Sequence, residues 1–380
     1  MEKDNTIFLE KIRPLRDEID RIDSEILSLI EKRQEQVEQV VALKKNHNMP
    51  VYHPAREEDL IYRLRSQADR AGVDPDFMED LYRIILRQSR IKQTQKMERK
   101  GIRPDASVLV IGGKGQMGRF FARLFSQSRY KVRTLDKEDW DSAKELCSGV
   151  DLVLVSVPIE TTGAIVEAVC PYLSAHTILA DLTSVKKGPL DAMCRFHKGP
   201  VMGLHPLFGP TSESLDKQIM VTCPGKDEPA CQWLTEQLAL WGAVIVRATA
   251  QEHDQVMEIV QALRHFATFC FGDFLYHRHV QLERTLEFSS PIYRLELGMV
   301  GRLFAQDPNL YAEIIFATPE RRQLLKDFID SFSRQIEMLD KNDKKGFIRQ
   351  FSQVAQWFGP FSEQAMREST FIIDKLIERL

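Results

Sequence analysis

The sequence predicts a multidomain chain in which all-α segments flank an α/β domain. Only Gly72 of the 19 glycines lies in the first hundred residues, and helices need little glycine, whereas tight turns and ligand-binding loops need it. Short apolar runs that alternate with helical patterns begin at Ser107 and stop near Gln251. The length of 380 residues also exceeds that of a typical single domain. We therefore expect domains over residues 1–95, 106–249 and 250–380, with a linker over residues 96–105.

Composition and charge exclude several classes of protein. Hydrophobic residues make up 43% of the chain and charged residues 28%, which is typical of globular proteins and not of disordered or collagen-like chains. The net charge of −3 provides no overall attraction to nucleic acid or to an anionic membrane. The charged N-terminus lacks the apolar segment of a secretory signal, and no apolar run reaches the roughly 18 residues of a membrane span. The six cysteines show no metal-binding spacing, so we expect a cytoplasmic protein with reduced cysteines and no metal.

The first hundred residues predict three helices. Apolar residues recur at spacings of three and four from Ile12 onwards, and the helical pattern continues to about His47. Proline and glycine then separate two shorter helices, which we expect near residues 55–71 and 76–96. One long helix packed on two shorter ones leaves apolar surface uncovered, so we expect a homodimer.

The middle of the chain predicts a parallel α/β sheet. Seven short apolar runs alternate with helical patterns, as in successive βαβ units, and only helical patterns follow them to the C-terminus. The predicted strands are Ser107–Ile111, a run from Val132 to Asp136, Asp151–Val157, Thr177–Asp181, Val201–Leu204, Ile219–Thr222 and Ala243–Val246.

A glycine-rich segment directly after the first predicted strand matches the pattern of a dinucleotide-binding loop. It has the form G-x-G-x-x-G and opens a helix, as in Rossmann-type domains. Gly113 would permit the tight turn, Gly115 would let a pyrophosphate approach the helix N-terminus, and Gly118 would allow close packing of helix on strand. The candidate cofactor-binding residues from the strand ends are Gly113, Gly115, Gln116, Met117, Gly118, Asp136, Ser156 and Pro158.

An acidic residue indicates which dinucleotide is bound. Asp136 ends the second predicted strand, 18 residues after Gly118, where an acidic side chain can accept hydrogen bonds from a ribose 2′-hydroxyl. A carboxylate there would repel a 2′-phosphate, so NAD is favoured. Arg133 and Lys137 are close enough in the sequence to leave NADP open.

Nicotinamide chemistry on an alcohol needs a base, and histidine is suited to that role because its pKa lies near neutrality. His205 stands in Gly203-Leu-His-Pro-Leu-Phe-Gly-Pro210, next to the carboxyl end of an apolar run, where ligands bind in open α/β sheets. Ser184, in Asp181-Leu-Thr-Ser-Val-Lys186, has a similar placement and could hydrogen-bond the base or the substrate.

Together these segments resemble the prephenate dehydrogenase family. Two further stretches, residues 261–268 (QALRHFAT) and 290–297 (SPIYRLEL), extend the resemblance over most of residues 105–380. It implies NAD-dependent oxidative decarboxylation of prephenate to 4-hydroxyphenylpyruvate. Prephenate carries two carboxylates, which require at least one guanidinium partner. The roles that the resemblance implies are a base at His205, a carboxylate-binding Arg302 with Arg294 nearby, a substrate contact at His265 and a nicotinamide contact at His197.

Cations on the inward face of the first helix point to a second activity. Arg33 continues the apolar seam of this helix, and Lys44 lies 11 residues further, on nearly the same face at roughly 16 Å. Cations on an inward face need anionic partners, and a small dianion would satisfy them. Arg16 lies about 100° away around the helix, so it would serve a different site.

This arrangement is similar to the all-helical chorismate mutase family over about residues 8–95. The matching segments are residues 15–20 (LRDEID), 31–33 (EKR), 41–44 (VALK) and 54–57 (PARE). The resemblance implies roles for Arg16 across a dimer, Arg33, Lys44, Arg56, Glu57 and Gln93, and leaves the role of His53 open. The rearrangement of chorismate to prephenate needs cations on its carboxylates and donors on the ether oxygen, for which Lys44 and Gln93 are the candidates.

The two resemblances together imply a bifunctional enzyme of tyrosine biosynthesis, with tyrosine as a feedback inhibitor and a homodimer formed through helical parts. Two alternatives remain open. In the first, the chain is a dehydrogenase only, and the N-terminal bundle is a dimerisation or regulatory module. In the second, arogenate replaces prephenate, because an amino group in place of the keto group leaves the motifs unchanged.

Overall fold

The computed structural model describes residues 2–47, 53–96, 101–209, 211–212 and 214–377. Contacts divide the chain into two compact units. The first consists of Met1–Val157, Thr161–Thr183 and Gly188–Ala248, and the second of Pro158–Glu160, Ser184–Lys187 and Thr249–Leu380. Within the described ranges, no helix is both long and apolar enough to cross a membrane.

The first unit begins with the three predicted helices: α1 (Glu2–His47), α2 (Pro54–Arg70) and α3 (Pro75–Lys96). Helix α1 continues through Pro14, although proline supplies no N–H donor to the helix. The apolar seam of α1 is uncovered within the chain, with side chains between 43% and 65% exposed at Leu15, Ile19, Ile22, Ile26 and Leu29.

The same unit contains a seven-stranded sheet in the order β2-β1-β3-β4-β5-β6-β7. Its strands are β1 (Ser107–Ile111), β2 (Lys131–Leu135), β3 (Leu152–Val155), β4 (Ile178–Asp181), β5 (Val201–Pro206), β6 (Ile219–Lys226) and β7 (Val244–Arg247). Helices α4 (Gln116–Gln127), α5 (Ala143–Leu146), α6 (Ile159–Val169), α7 (Lys187–Phe196) and α8 (Glu228–Leu240) connect them. The predicted α/β architecture is therefore confirmed.

The direction of the last two strands differs from the prediction of a parallel sheet. Strands β1 to β5 are parallel, but β6 pairs antiparallel with β5, and β7 follows β6 in parallel. A parallel pair needs a long crossover connection, usually a helix. The described part of the connection at residues 207–218 contains no helix, so β6 returns directly beside β5.

Aromatic packing holds helix α4 against the sheet. Phe120, Phe121 and Phe125 on α4 are nearly inaccessible to solvent and belong to the same core cluster as Val108 and Val110 of β1. Burial of each ring contributes about 2 kcal/mol relative to exposure. This packing fixes the N-terminus of α4, and with it the glycine-rich loop, at the carboxyl edge of the sheet.

The second unit is helical, as predicted for the C-terminal domain. Its helices are α9 (Ala250–Met257), α10 (Arg264–His277), α11 (Leu282–Glu287), α12 (Pro291–Phe304), α13 (Pro308–Phe316), α14 (Pro319–Asp340), α15 (Lys344–Phe358) and α16 (Pro360–Ile377). A π-helical turn, Glu258–Leu263, joins α9 to α10, and the helical periodicity did not predict it. Such turns occur often at functional sites. Ser290, Asp307 and Thr318 cap the N-termini of α12, α13 and α14 by accepting a backbone N–H.

Candidate active sites

The glycine-rich loop has the shape that a dinucleotide needs, with one change to the predicted roles. The left-handed residue of the turn is Gly112, with a φ of +80°, so the prediction that Gly113 permits the tight turn was wrong. Gly113 is required for another reason, because a Cβ there would collide with Thr134 on β2. A Cβ on Gly118 would collide with the carbonyl oxygen of Gly112, which agrees with close packing of α4 on the loop. Gly115 caps α4 without a side chain, so an anion at this N-terminus would find N–H donors.

Asp136 offers an acceptor to a ligand. Its Oδ1 accepts a hydrogen bond of 3.0 Å from the backbone N–H of Lys114, while its Oδ2 is buried without a hydrogen-bond partner. Buried acceptors are normally satisfied, and a ribose hydroxyl would supply the missing donor. Arg133 is engaged elsewhere, since its Nη1 donates to the carbonyl oxygens of Leu146 and Ser148 at 3.1 and 2.9 Å. It is therefore a poor candidate for a 2′-phosphate.

His205 lies at the same edge of the sheet as the glycine-rich loop. It is the penultimate residue of β5, is only 2% exposed and stands opposite Val221 of β6. Gly203 pairs with Asp181, the last residue of β4, so His205 lies two residues beyond the level at which the neighbouring strand ends. Strand β5 thus extends further than predicted and carries His205 within it, whereas Pro210 of the same motif lies outside the described residues.

His197 occupies a different position, and the structure does not support its predicted contact with the nicotinamide. Its Nε2 is 2.7 Å from the carbonyl oxygen of Thr177, which directly precedes β4 and so marks the amino edge of the sheet. The dinucleotide loop follows the opposite, carboxyl edge. Burial lowers the pKa of His197 below its usual value, as expected for a neutral histidine inside the protein. His197 is therefore no longer a candidate for contact with the cofactor.

The segment that carries Ser184 is anchored by an aspartate that the sequence did not indicate. Within the second unit, the Asp254 carboxylate accepts the backbone N–H groups of Lys186 and Lys187 at 2.7 and 2.9 Å. His253 contacts the same carboxylate through Nδ1 at 2.7 Å. Burial raises the pKa of Asp254, but these hydrogen bonds outweigh it and bring the pKa below its usual value. Asp254 is therefore ionised, and its carboxylate holds the segment of Ser184 although the two are separated by nearly seventy positions in the sequence.

Two predicted substrate residues of the second unit lie close to a tyrosine that was not predicted. The His265 ring packs edge-on against Tyr311, with 4.8 Å between ring centroids. Burial raises the pKa of Tyr311, while Arg264 and Arg302 oppose that rise, which places both guanidinium groups in its vicinity. Arg302 is exposed and can reach an anion. The arrangement joins a cation and an aromatic surface, which suits a cyclic carboxylate.

His265 is neutral in this environment. Burial and the neighbouring Arg264 lower its pKa to about 4, and its Nδ1 is buried without a hydrogen-bond partner. A neutral imidazole with an unpaired nitrogen can bind a hydroxyl or carbonyl group of a substrate. Arg294 has a structural contact instead, because its Nη2 donates to the carbonyl oxygen of Leu286 at 2.6 Å and so joins α11 to α12.

The N-terminal helices enclose a cavity of about 190 Å³ between α1 and α3. Arg33 lines it and donates from Nη1 to Ser89 Oγ at 2.9 Å, while Gln93 has a buried Oε1 without a partner. Ser89 was not predicted, although it stands one helical turn before Gln93. The remaining lining residues are Ile30, Gln34, Val37, Glu38, Val41, Ile84, Ile85, Gln88 and Lys92. Lys44 is half-buried and lies one turn beyond Val41 on α1.

Besides Lys44, three further predicted residues of this bundle do not line the cavity. Arg56 is exposed and pairs with Asp59 at 3.2 Å. Glu57 is nearly buried, and its Oε2 accepts from Arg90 Nη1 at 2.5 Å. Arg16 is exposed on α1, so within one chain nothing brings it to the cavity.

Comparisons with known proteins connect these sites to families. The model described as "Chorismate mutase type II" matches residues 15–94. "Prephenate dehydrogenase, nucleotide-binding domain" matches residues 126–247, and "Prephenate dehydrogenase, dimerization domain" matches residues 249–353. The T-protein of Enterobacter agglomerans is 45% identical over 366 residues, which cover 96% of this chain and 98% of that protein. The chain belongs to the T-protein family.

Other relatives agree with T-protein membership. The T-protein of Haemophilus influenzae is 42% identical over 369 residues, covering 97% of this chain and 98% of that protein. A crystal structure of Aquifex aeolicus prephenate dehydrogenase with hydroxyphenyl propionate and NAD+ superposes with a TM-score of 0.54. It covers 67% of this chain and 97% of that one at 18% identity, which shows a shared fold. The chain is thus an enzyme with chorismate mutase and prephenate dehydrogenase activities in tyrosine biosynthesis, and the prediction of a bifunctional enzyme is confirmed.

Proposed function

We propose that this chain rearranges chorismate to prephenate in its N-terminal helices and then oxidises prephenate with NAD in the remainder. The observation that carries this proposal is that one chain contains both an arginine-lined cavity in a mutase-type bundle and a dinucleotide loop beside an unpaired Asp136 oxygen. We assign the mutase to residues 1–95, a linker to 96–105, the nucleotide-binding domain to 106–249 and the substrate-binding and dimerisation domain to 250–380.

The mutase needs neither a nucleophile nor a base, because its reaction is a unimolecular rearrangement. Arg33, together with Arg16 of the partner subunit, binds the two carboxylates of chorismate. Arg56 and Glu57 lie outside the cavity of one chain, and the family resemblance assigns them to the polar surroundings of the bound substrate. Lys44 and Gln93 donate to the ether oxygen as negative charge develops there. A 180° turn of the Gln93 amide presents its N–H group in place of the unpaired oxygen, so the same side chain can serve as a donor.

The dehydrogenase combines a base with cationic binding of the substrate. His205 accepts the proton of the ring hydroxyl, and Ser184 hydrogen-bonds the base or the substrate. Arg302 binds a carboxylate of prephenate, and neutral His265 contacts the substrate beside Tyr311. NAD would supply the hydride acceptor, and the residues that would hold it are Gly113, Gly115, Gln116, Met117, Gly118, Asp136, Ser156 and Pro158. Loss of CO₂ then restores aromaticity and gives 4-hydroxyphenylpyruvate.

Prephenate is favoured over arogenate by the charges near Tyr311. Arg264 and Arg302 both oppose the upward shift of its pKa, and two cations in this vicinity would repel the ammonium group of arogenate. The keto acid carries no such group. A substrate preference for prephenate follows.

The quaternary and cellular setting completes the proposal. The uncovered seam of α1, together with exposed aromatic residues such as Phe332, Phe347 and Phe351 in the part that matches the dimerization model, supports a homodimer. All six cysteines are free, which suits the reducing cytoplasm. Tyrosine, the end product of the pathway, is proposed as a feedback inhibitor.

A coupled assay tests the proposed function directly. Wild-type protein is incubated with chorismate and NAD, and chorismate loss and NADH formation are followed together. We expect chorismate to disappear first and NADH to follow as prephenate accumulates. If the protein forms NADH from added prephenate but does not consume chorismate, the mutase activity is excluded and the chain is a dehydrogenase only. A higher kcat/KM for arogenate than for prephenate would reverse the substrate assignment.

Asp136 determines the choice of dinucleotide. Changing Asp136 to alanine removes the acceptor for the ribose hydroxyl, so the Kd for NAD should rise about tenfold, whereas the Kd for NADP should change little or fall. Calorimetric titration of both nucleotides measures the two constants. Glu138→Ala is the control, since Glu138 pairs with Lys114 at the surface and should leave both constants near wild type. A larger loss of NADP than of NAD affinity would reject the ribose role.

A further inference from the structure

An ion cluster connects the mutase helices to the nucleotide-binding part of the first unit. Glu57 on α2 has a side chain only 12% exposed, and Arg90 on α3, 10% exposed, donates to both of its carboxylate oxygens. Lys217 supplies a second cation, with its Nζ 3.7 Å from Glu57 Oε2. One carboxylate is therefore shared by two cations that come from different parts of the fold. In a partly buried setting such charges interact more strongly than at the surface.

The backbone at Lys217 is held in an unfavourable conformation. Its φ is +60°, in the left-handed region where a residue with a Cβ is disfavoured and glycine is not. Its N–H donates to the carbonyl oxygen of Gly242 at 3.0 Å, which fixes the turn. A strained residue that keeps a long charged side chain, where glycine would fit more easily, indicates that the side chain has a function.

Lys217 also lies on the chain segment that follows the candidate base of the dehydrogenase. The connection at residues 207–218 starts directly after Pro206, the neighbour of His205, and leads into β6, where Val221 pairs with His205. The segment that follows His205, the candidate base of the dehydrogenase, thus carries Lys217, and Lys217 contacts Glu57, a candidate residue of the mutase.

We propose that Lys217 is a positioning residue for the chorismate mutase. Arg90 and Lys217 together fix the orientation of the Glu57 carboxylate, so that the mutase depends on a side chain of the nucleotide-binding part. The inference rests on the proposed role of Glu57 in the mutase. In one chain the cluster holds Glu57 outside the cavity lining.

Replacement of Lys217 by glycine distinguishes a role in positioning Glu57 from a role in the stability of the fold. Lys217→Gly removes the ammonium group and relieves the left-handed backbone, so we expect the midpoint of thermal unfolding to be unchanged or higher. The kcat/KM for chorismate should fall about tenfold, through kcat more than KM, while kcat/KM for prephenate oxidation stays within twofold of wild type. Lys217→Arg restores a cation and should recover most of the mutase rate.

Arg129 provides the matched control, because it is another cation with a left-handed backbone, at φ +64° in the turn before β2. Arg129→Gly should leave both activities unchanged. Wild-type mutase activity in Lys217→Gly, or a loss of stability and of both activities in parallel, would overturn the positioning role. If the wild-type chain itself does not consume chorismate, the proposed mutase function fails first, and the inference fails with it.

Discussion

Replacement of His205 by asparagine is expected to reduce prephenate oxidation on the order of 10²-fold or more. Asparagine retains a polar side chain of similar size but cannot take up the proton of the ring hydroxyl. The sheet fixes the position of His205, because this residue is 2% exposed within β5 and stands two residues beyond the pairing of Gly203 with Asp181. NADH formation from prephenate under saturating NAD measures the rate, and a fluorescence titration should show an unchanged Kd for NAD. Chorismate loss should remain at the wild-type level.

His197 supplies a control of the same residue type in the same unit. It is equally buried, but it contacts Thr177 at the amino edge of the sheet. His197→Asn should therefore lower the midpoint of thermal unfolding without a selective loss of kcat. Near-normal turnover in His205→Asn would exclude His205 as the base. A selective loss in His197→Asn would return that residue to the active site.

The central strands β1, β3, β4 and β5 were predictable because each is a short run of buried, mostly apolar residues, and this signal is local. Strand direction is not local. Nothing within the run Ile219–Thr222 distinguishes an antiparallel strand from a parallel one, and the outcome depends on a connection without a helix. Likewise, the motif predicted a glycine turn, but either of two adjacent glycines, Gly112 and Gly113, could supply the left-handed residue. Only the backbone assigns it to Gly112.

The candidate sites show the same division between local and distant information. Asp136 and His205 could be proposed because each stands at a fixed place beside a strand end. Tyr311, Ser89 and Asp254 were missed because each meets its partner far away in the sequence, as Ser89 meets Arg33 across 56 positions. No periodicity or spacing encodes such a contact. Helix packing creates it.

Replacement of Lys44 by glutamine is expected to reduce chorismate rearrangement on the order of 10²-fold or more, with prephenate oxidation largely intact. Glutamine keeps a hydrogen-bond donor at a similar distance but removes the positive charge that stabilises the ether oxygen as it becomes negative. Lys44 is half-buried, one turn beyond Val41 of the cavity, where a charge acts more strongly than in water. The loss of chorismate absorbance measures the mutase, and NADH formation from added prephenate measures the dehydrogenase in the same preparation.

Lys32→Gln makes the same chemical change on the same helix, at an exposed position beside Arg33. It should leave the mutase within about twofold of wild type, because surface charges are screened by solvent and salt. A wild-type mutase rate in Lys44→Gln would remove Lys44 from the reaction. The donor to the ether oxygen would then have to come from a cation that lines the cavity. Lys92 meets that condition, since it reaches Gln34 Oε1 at 2.6 Å from the opposite helix.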